Sequence, residues 1–282
     1  MFNKPLAQPI GVAAGQIATI TLAVEALTLT GVKLLLGGTT FDKTKIDRIR
    51  VKIGSRVLWD LTGTQINAIN NYKNAADSAK YLYLDFVERD QAVFPIKEIG
   101  GLDLMALMGI GVVTIDIYIN AGAVAPTIGA IGYFEQSQGN PAVLKYIPFT
   151  ASYNVSGKFT LPLSFRGAVL KRLYVFFSGT AWTVGANGNI ARVEAKKNGT
   201  VFFDQSDLDN RFDQANYKKV PQAGVYVCDF IVDNNHDAHI TTMRSVNGNL
   251  IYDAFEFNTT ISDAGGAALT VVAEVLDAAT NL

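Results

Sequence analysis

The chain offers two imidazoles, His236 and His239, both inside Asp233-Asn-Asn-His-Asp-Ala-His239. Carboxylates and imidazoles at that density have the donor types that hold a divalent cation. They lack the helical H-E-x-x-H spacing and any second cluster that would complete a site, so a solvated turn after a strand is the plainer reading. A Ser-His-acid triad would have to draw on the same loop, and the chain has no G-x-S-x-G elbow to expose a nucleophile. The single cysteine, Cys228, cannot form an intramolecular disulfide, nor a thiolate cage by itself.

Carboxylates remain as acid and base candidates. β-Sandwiches do host pairs of acids that hydrolyse glycosidic bonds across a cleft. Asp85 and Asp229 attract attention because they occupy equivalent places in an internal repeat described below, but that equivalence points to a structural role carried out twice. The series Asp204, Asp207, Asp209 and Asp213 has the look of a calcium loop without its turn glycine and closing glutamate, so a capped helix with a solvated face is preferred. Gly109-Ile-Gly-Val-Val-Thr114 departs from G-x-G-x-x-G at its last position and runs into β-branched residues, which excludes a dinucleotide cradle. Trp59 and Trp182 could stack on a ligand, but Trp59 aligns with Phe203 in the repeat and is expected in the core, as Phe203 is. Tyr81, Tyr83, Phe86, Tyr174, Phe176 and Phe177 fall at strand period, where core or subunit contacts are the usual cause. No catalytic, cofactor-binding or metal-ligating residue is nominated, and no cofactor is expected.

The elements that would position any site come from a chain of 282 residues, long enough for two domains at roughly 100–200 residues each. Lys+Arg 24 against Asp+Glu 25 leaves a net charge of -1, which gives no basic excess for a phosphate backbone. Apolar residues at 49% with charged residues at 17% exclude disorder and are what extensive burial between neighbouring subunits would produce. The charge-free runs Pro5 to Val24 and Ile117 to Phe134 approach a membrane span in length, yet both are broken by proline and glycine. The N-terminus lacks the continuous apolar block of a secretory signal, so an unexported protein is expected.

Two stretches align at an offset of 144 residues: Ile46 to Asp60 and Ile190 to Asp204. Ile46/Ile190, Arg48/Arg192, Lys52/Lys196, Val57/Val201 and Asp60/Asp204 are identical, five of fifteen where chance gives about one. Asn71-Tyr-Lys73 answers Asn216-Tyr-Lys218, Asp85-Phe-Val87 answers Asp229-Phe-Ile231, and Gly38-Thr39 answers Gly179-Thr180. Inside the block, Ile49, Val51 and Ile53 alternate with Arg48, Arg50 and Lys52, the period of a half-buried strand. Gly54-Ser55 then suits a type II′ hairpin turn and Asn198-Gly199 a type I′ turn. Each hairpin is followed by a capped segment, from Thr62 and from Ser206, with Ile66/Ile69 and Leu208/Phe212 at helical spacing.

Elsewhere strand follows strand: Ile17 to Leu22, Leu34 to Leu36, Tyr81 to Val87, Val112 to Ile119, Phe159 to Leu163, Leu173 to Phe177, Val225 to Val232, Phe255 to Thr260 and Leu269 to Leu276. Without long amphipathic helices between them, the class is all-β. The expectation is two tandem jelly rolls of eight strands with short helices in loops, residues 1–140 and 141–282, joined near Gly139-Asn-Pro141.

Three features together resemble the major capsid protein of corticovirus-type tailless icosahedral phages, which enclose a lipid membrane. They are the opening Pro9-Ile-Gly-Val-Ala-Ala-Gly-Gln16 before a strand, the hairpin block Ile46 to Leu61 with its capped sequel, and Gly122 to Pro126 after a long strand near mid-chain. The likeness spans most of the first half; the segment Ala121 to Gly132 and the His236 loop have no assignable counterpart. It implies a double jelly roll, a homotrimeric pseudo-hexagonal capsomer in an icosahedral shell, and a lower rim facing the virion membrane. It further implies neighbouring capsomers and vertex and minor membrane-associated virion proteins as partners, no direct nucleic acid contact, and assembly in the host cytoplasm. Structural calcium occurs in such proteins, but no ligand set transfers to this sequence. A duplicated unit fits this, since three copies present six similar lobes. The rival is a two-domain β-sandwich enzyme or lectin acting on glycans; a trimeric fibre head is a third reading.

Overall fold

The period-two runs become strands. In the computed structural model, which describes residues 2–89, 99–137, 139, 142–153, 155–161, 163, 168–177, 190–233, 239–262 and 267–281, the first set is β1 (Phe2–Pro5), β2 (Ile17–Thr21), β3 (Leu27–Gly37), β4 (Ile46–Ile53), β5 (Arg56–Leu61), β6 (Tyr81–Asp85), β7 (Leu102–Asp103), β8 (Val113–Ile119) and β9 (Thr127–Gln136). They form two sheets, ordered β1-β9-β3-β6 and β2-β8-β4-β5, with β7 pairing on β3. Buried Ile20, Ile49, Val51, Ile115 and Ile117 on one sheet and Leu34, Leu82 and Leu84 on the other supply the core.

The second set is β10 (Ala142–Tyr153), β11 (Gly157–Leu161), β12 (Val169–Phe177), β13 (Ile190–Lys197), β14 (Thr200–Ser206), β15 (Val225–Asp229), β16 (Ile240–Thr241), β17 (Met243–Val246), β18 (Asn249–Tyr252), β19 (Phe255–Ile261) and β20 (Ala267–Ala278). Its sheets are β10-β20-β12-β15 and β11-β19-β13-β14, β16 pairs on β12, and β17-β18 stand alone as a hairpin. Leu173, Val193, Cys228, Phe257, Val271 and Ala273 share one core cluster drawn from both of these sheets. Counting eight principal strands in each set, both read 1-8-3-6 over 2-7-4-5, the winding of a jelly roll. Two compact units result: Met1–Asn71, Ala75–Tyr146 and Leu276–Leu282 in one, Tyr72–Asn74 and Ile147–Val275 in the other.

The repeat extends to irregularities. The β4-β5 ladder shifts register between Val51 and Lys52, and β13-β14 shifts between Ala195 and Lys196, the same place 144 residues on. A second shift, Ile46 to Arg48 against β8, returns as Ile190 to Arg192 against β19. Positive φ falls at Gly54 in the first turn and at both Asn198 and Gly199 in the second, as II′ and I′ turns require. After each hairpin a helix begins, α1 (Gly63–Tyr72) and α2 (Asp207–Asn216). Thr62 and Gln65 exchange side-chain to backbone hydrogen bonds, and Ser206 Oγ accepts from the Asp209 amide.

Several expectations are corrected. The Ala/Gly-rich segment Ala121 to Gly132, for which the sequence suggests no strand and no family counterpart, runs into β9, the strand between β1 and β3. Gly132 within it lies under covering side chains: a Cβ there would be 2.7 Å from the Phe134 ring and 2.8 Å from Leu6. The Val225 strand stops at Asp229, whose carboxylate accepts from the Ile231 amide and turns the chain. Helical spacing at Leu208 and Phe212 does give a helix, but both side chains point outward, 55% and 68% exposed, while Asp207, Asn210, Arg211 and Gln214 are buried. Gly179-Thr180 and Trp182 lie outside the described residues.

Candidate functional site

Residues weighed for chemistry are dispersed. His236 and Asp237 lie outside the described residues, Asp233 is exposed and His239 half-buried. Among the described residues no group of three or more His, Cys, Asp or Glu is placed to hold a metal ion. The aspartate series is used up locally: Asp204 pairs with Arg192 at 2.6 Å, Asp207 with Arg211 at 2.8 Å, Asp209 takes part in the Ser206 cap, and Asp213 accepts from Gln205 at 2.7 Å. Gly109 to Gly111 sit in the turn before β8. Trp59 is buried, its Nε1 donating to the Leu144 carbonyl at 2.9 Å beside Phe86 and Tyr146. Phe203, expected to match it in the core, is half-buried and lines a cavity instead. Cys228 is fully buried, and burial followed by the neighbouring Asp229 pushes its thiol well above the ordinary range, so it stays an unreactive core group.

The densest polar constellation is one the sequence did not single out. In the second unit, Arg172 Nη1 donates to Glu274 Oε1 at 2.8 Å and its Nε lies 3.0 Å from Asp229 Oδ2. Tyr174 donates to Glu274 at 2.8 Å, Lys73 reaches Glu274 at 3.1 Å, and Tyr72 donates to Asp229 at 2.8 Å. Burial, reinforced by Asp229, raises the Tyr72 phenol far above its usual value, so it remains a neutral donor. Arg172 and Glu274 have 0% side-chain exposure, so no substrate reaches them. The cluster fixes strands to one another and is not a reaction centre. Asp85 holds the corresponding register: it faces Gly31 on β3 as Asp229 faces Arg172 on β12, and ion-pairs with Arg89 at 2.8 Å instead.

Equivalent polar contacts recur across the repeat. Arg48 pairs with Asp60 as Arg192 pairs with Asp204. Asn70 donates to the Tyr83 carbonyl as Gln214 donates to that of Val227, each 144 residues on. What differs is the surface. Positions Thr64 and Ala68 of α1 become Leu208 and Phe212 on α2, and the turn after β7, with exposed Met105, Met108 and Val112, is replaced after β16 by the β17-β18 hairpin. Among the described residues, large apolar side chains are prominent at the surface.

Two sandwiches of one winding, closed over their buried charges and uncovered at apolar surfaces, define a double jelly-roll protein of the kind that packs against other protein. The family models agree: "Viral coat protein P2 N-terminal domain" matches residues 3–136 and "Viral coat protein P2 C-terminal domain" residues 143–279. The chain belongs to the viral coat protein P2 family, a family of structural capsid proteins and not of enzymes. No curated protein sequence matches it. Among solved structures, the major capsid protein P2 of bacteriophage PM2 is similar at TM-score 0.78 and 17% identity, covering 98% of this chain and 97% of that one. The Sulfolobus Turreted Icosahedral Virus structure follows at 0.71 and 12%, covering 98% and 90%, and the PBCV-1 virus capsid at 0.62 and 12%, covering 99% and 94%. At these identities the likeness is one of fold. The double jelly roll expected from the sequence is the fold found.

Proposed function

We propose that this coat protein acts as a homotrimeric, pseudo-hexagonal capsomer of an icosahedral shell surrounding an internal membrane. The observation that carries the proposal is the identical strand order of the two sandwiches, down to two register shifts repeated at an offset of 144 residues. Three copies of such a chain present six near-equivalent lobes, so a threefold cluster fits a hexagonal lattice while each lobe keeps its own contacts. The relatives named as capsids or as an icosahedral virus support the shell. We put the join of the two rolls near Gly139 to Pro141, a reading supported by the gap between the spans of the two family models. Vertex and minor membrane-associated proteins are the further partners, the lower rim faces lipid, and assembly takes place in the host cytoplasm. Light scattering on the purified chain tests the capsomer: a species three times the 30.4 kDa chain is expected. A lone chain at every concentration, or measurable glycan turnover, would overturn it in favour of the two-domain glycan-active reading.

A further inference from the structure

At one place the second copy of the repeat forgoes a packing that the first copy achieves. In the first unit Leu58, Trp59, Leu61, Ile66, Ile69 and Phe86 are all core residues, 0–3% exposed. Their counterparts 144 residues on are Phe202, Phe203, Gln205, Asn210, Asp213 and Phe230. All six line one cavity of about 440 Å³. Where one copy seals its core with Leu61, Ile66 and Ile69, the other sets an amide, an amide and a carboxylate around an opening. Polar groups at core positions cost stability unless something pairs with them. The jelly roll itself does not call for them, since the first copy folds the same way without them.

The polar groups are arranged with one sense. Asn210, Asp213 and Gln214 share a face of α2 at i, i+3 and i+4, and Tyr217 follows just past its end. Asn210 and Gln214 are 4% and 2% exposed, and each spends its amide NH2 on the Val227 carbonyl, at 2.7 and 2.8 Å. Only an NH2 can donate to a carbonyl, so the group left over on each is an oxygen. Neither oxygen has a donor among the described residues. Gln205 likewise gives its NH2 to Asp213 at 2.7 Å and keeps its oxygen. Asp213 receives that one neutral donor, and no cation among the described residues pairs with it. In the first copy a single bond, Asn70 to the Tyr83 carbonyl, seats the helix, so the second bond from Asn210 is not needed for that.

We infer that this cavity binds a small organic cation bearing a primary alkylammonium group. The amide oxygens of Gln205, Asn210 and Gln214 and the Asp213 carboxylate are acceptors, which suits a donor carrying positive charge and repels an anion. The remaining wall is aromatic: Phe230 lies 5.4 Å from Phe202 and 5.6 Å from Phe203 between ring centres. Ring faces attract ammonium groups, whereas a metal ion needs a shell of oxygen or nitrogen ligands that three phenylalanines interrupt. A purely apolar guest would leave the four acceptors unpaired. The volume falls in the range of small-molecule sites. A free amine and the tail of a lysine on another protein bring the same group, and the experiment separates them.

Calorimetry and saturation-transfer NMR on the purified chain, with spermidine, cadaverine, the uncharged 1,5-pentanediol and Nα-acetyl-lysine amide as probes, test the assignment. Spermidine and cadaverine should bind saturably, and the diol at least about tenfold more weakly than cadaverine. Asp213→Asn keeps an acceptor for Gln205 and removes the charge; it should retain the wild-type circular dichroism and weaken spermidine by about tenfold. The triple variant Gln205→Leu, Asn210→Ile, Asp213→Ile installs the side chains of the first copy, and should abolish binding while raising the urea midpoint. If the triple variant does not fold, Asp213→Asn decides alone. Acetyl-lysine amide binding as well as cadaverine supports a lysine tail as the carrier, and weaker binding supports a free amine. Equal binding of the diol would overturn the cationic class. No saturable binding of either amine, or spermidine binding unmoved by Asp213→Asn, would overturn the site.

Discussion

Replacing Arg172 by methionine tests whether the buried charge cluster holds the second unit together. The guanidinium meets Glu274 at 2.8 Å and Asp229 at 3.0 Å, and all three side chains are 0–1% exposed. Its removal deletes the charge-assisted hydrogen bond to Glu274, worth about 1.5–3 kcal/mol, and the ion pair with Asp229, and takes away one of the positive charges that face these two buried carboxylates. Lys73 and Tyr174 still reach Glu274 and Tyr72 still reaches Asp229, which moderates the loss. Breaking one side of a buried pair costs about 3–5 kcal/mol, and that range is expected here. For a unit of this size it corresponds to a fall of roughly 10–15 °C in Tm. Urea unfolding of wild type, Arg172→Met, Glu274→Gln and the double variant gives the full cycle. The double variant should be less destabilised than the sum of the singles by about 1–3 kcal/mol, because it no longer strands a charge. A single-variant cost under about 1 kcal/mol, or strict additivity, would refute the view that these groups act as a unit.

Two further outcomes follow from local geometry. Gly63 opens α1, where alanine would ordinarily stabilise by roughly 1 kcal/mol; a Cβ there lies 2.3 Å from the Lys43 carbonyl oxygen, so Gly63→Ala should instead lower the urea midpoint, and a raised midpoint would contradict the close approach. Burial works against the Asp103 carboxylate, but amide donors from Ala106, Gly139 and Met105 and the Ser137 hydroxyl outweigh it and hold the group below the usual aspartate range. A folded-state value below the unfolded one means stability present above about pH 4 and lost as pH falls further. Asp103→Asn should therefore cost about 2–4 kcal/mol near neutral pH, with the gap to wild type closing under acid. A gap that is equal at pH 7 and pH 3 in paired unfolding curves would count against it.

How far the sequence carries depends on the range of the interactions. The Ile46 to Asp60 hairpin, its turn types and the Thr62 and Ser206 caps were legible because each is decided within a few residues. The strand β9 was not, because Gly129 and Gly132 depress local strand preference, and the close approach of Leu6 that helps to explain Gly132 comes from a residue far away in sequence. Helical spacing at Leu208 and Phe212 gave the period of the helix and not its phase. Spacing says which residues share a face, and only tertiary context says which face turns inward. The Arg172 cluster was hidden altogether, since its partners stand 102 and 157 residues apart in sequence, as Glu274 from Arg172 and Asp229 from Tyr72 do. One clue was available: the equivalence of Asp85 and Asp229 marked one of its members.

Duplication supplies an internal control that a single sandwich lacks. Features present in both copies, namely the Arg48/Asp60 and Arg192/Asp204 pairs, the two register shifts, the capped helix and its amide bond to the next strand's carbonyl, are those that make a jelly roll from this kind of sequence. Features present in one copy are free of that duty. Gly31 against Arg172 shows the freedom used internally, a small residue that admits the Tyr83 ring in one unit and a buried guanidinium that ties strands in the other. Leu208, Phe212 and the β17-β18 arm show it used externally, at a stability cost that the isolated chain does not recover, since exposed apolar side chains gain nothing until covered.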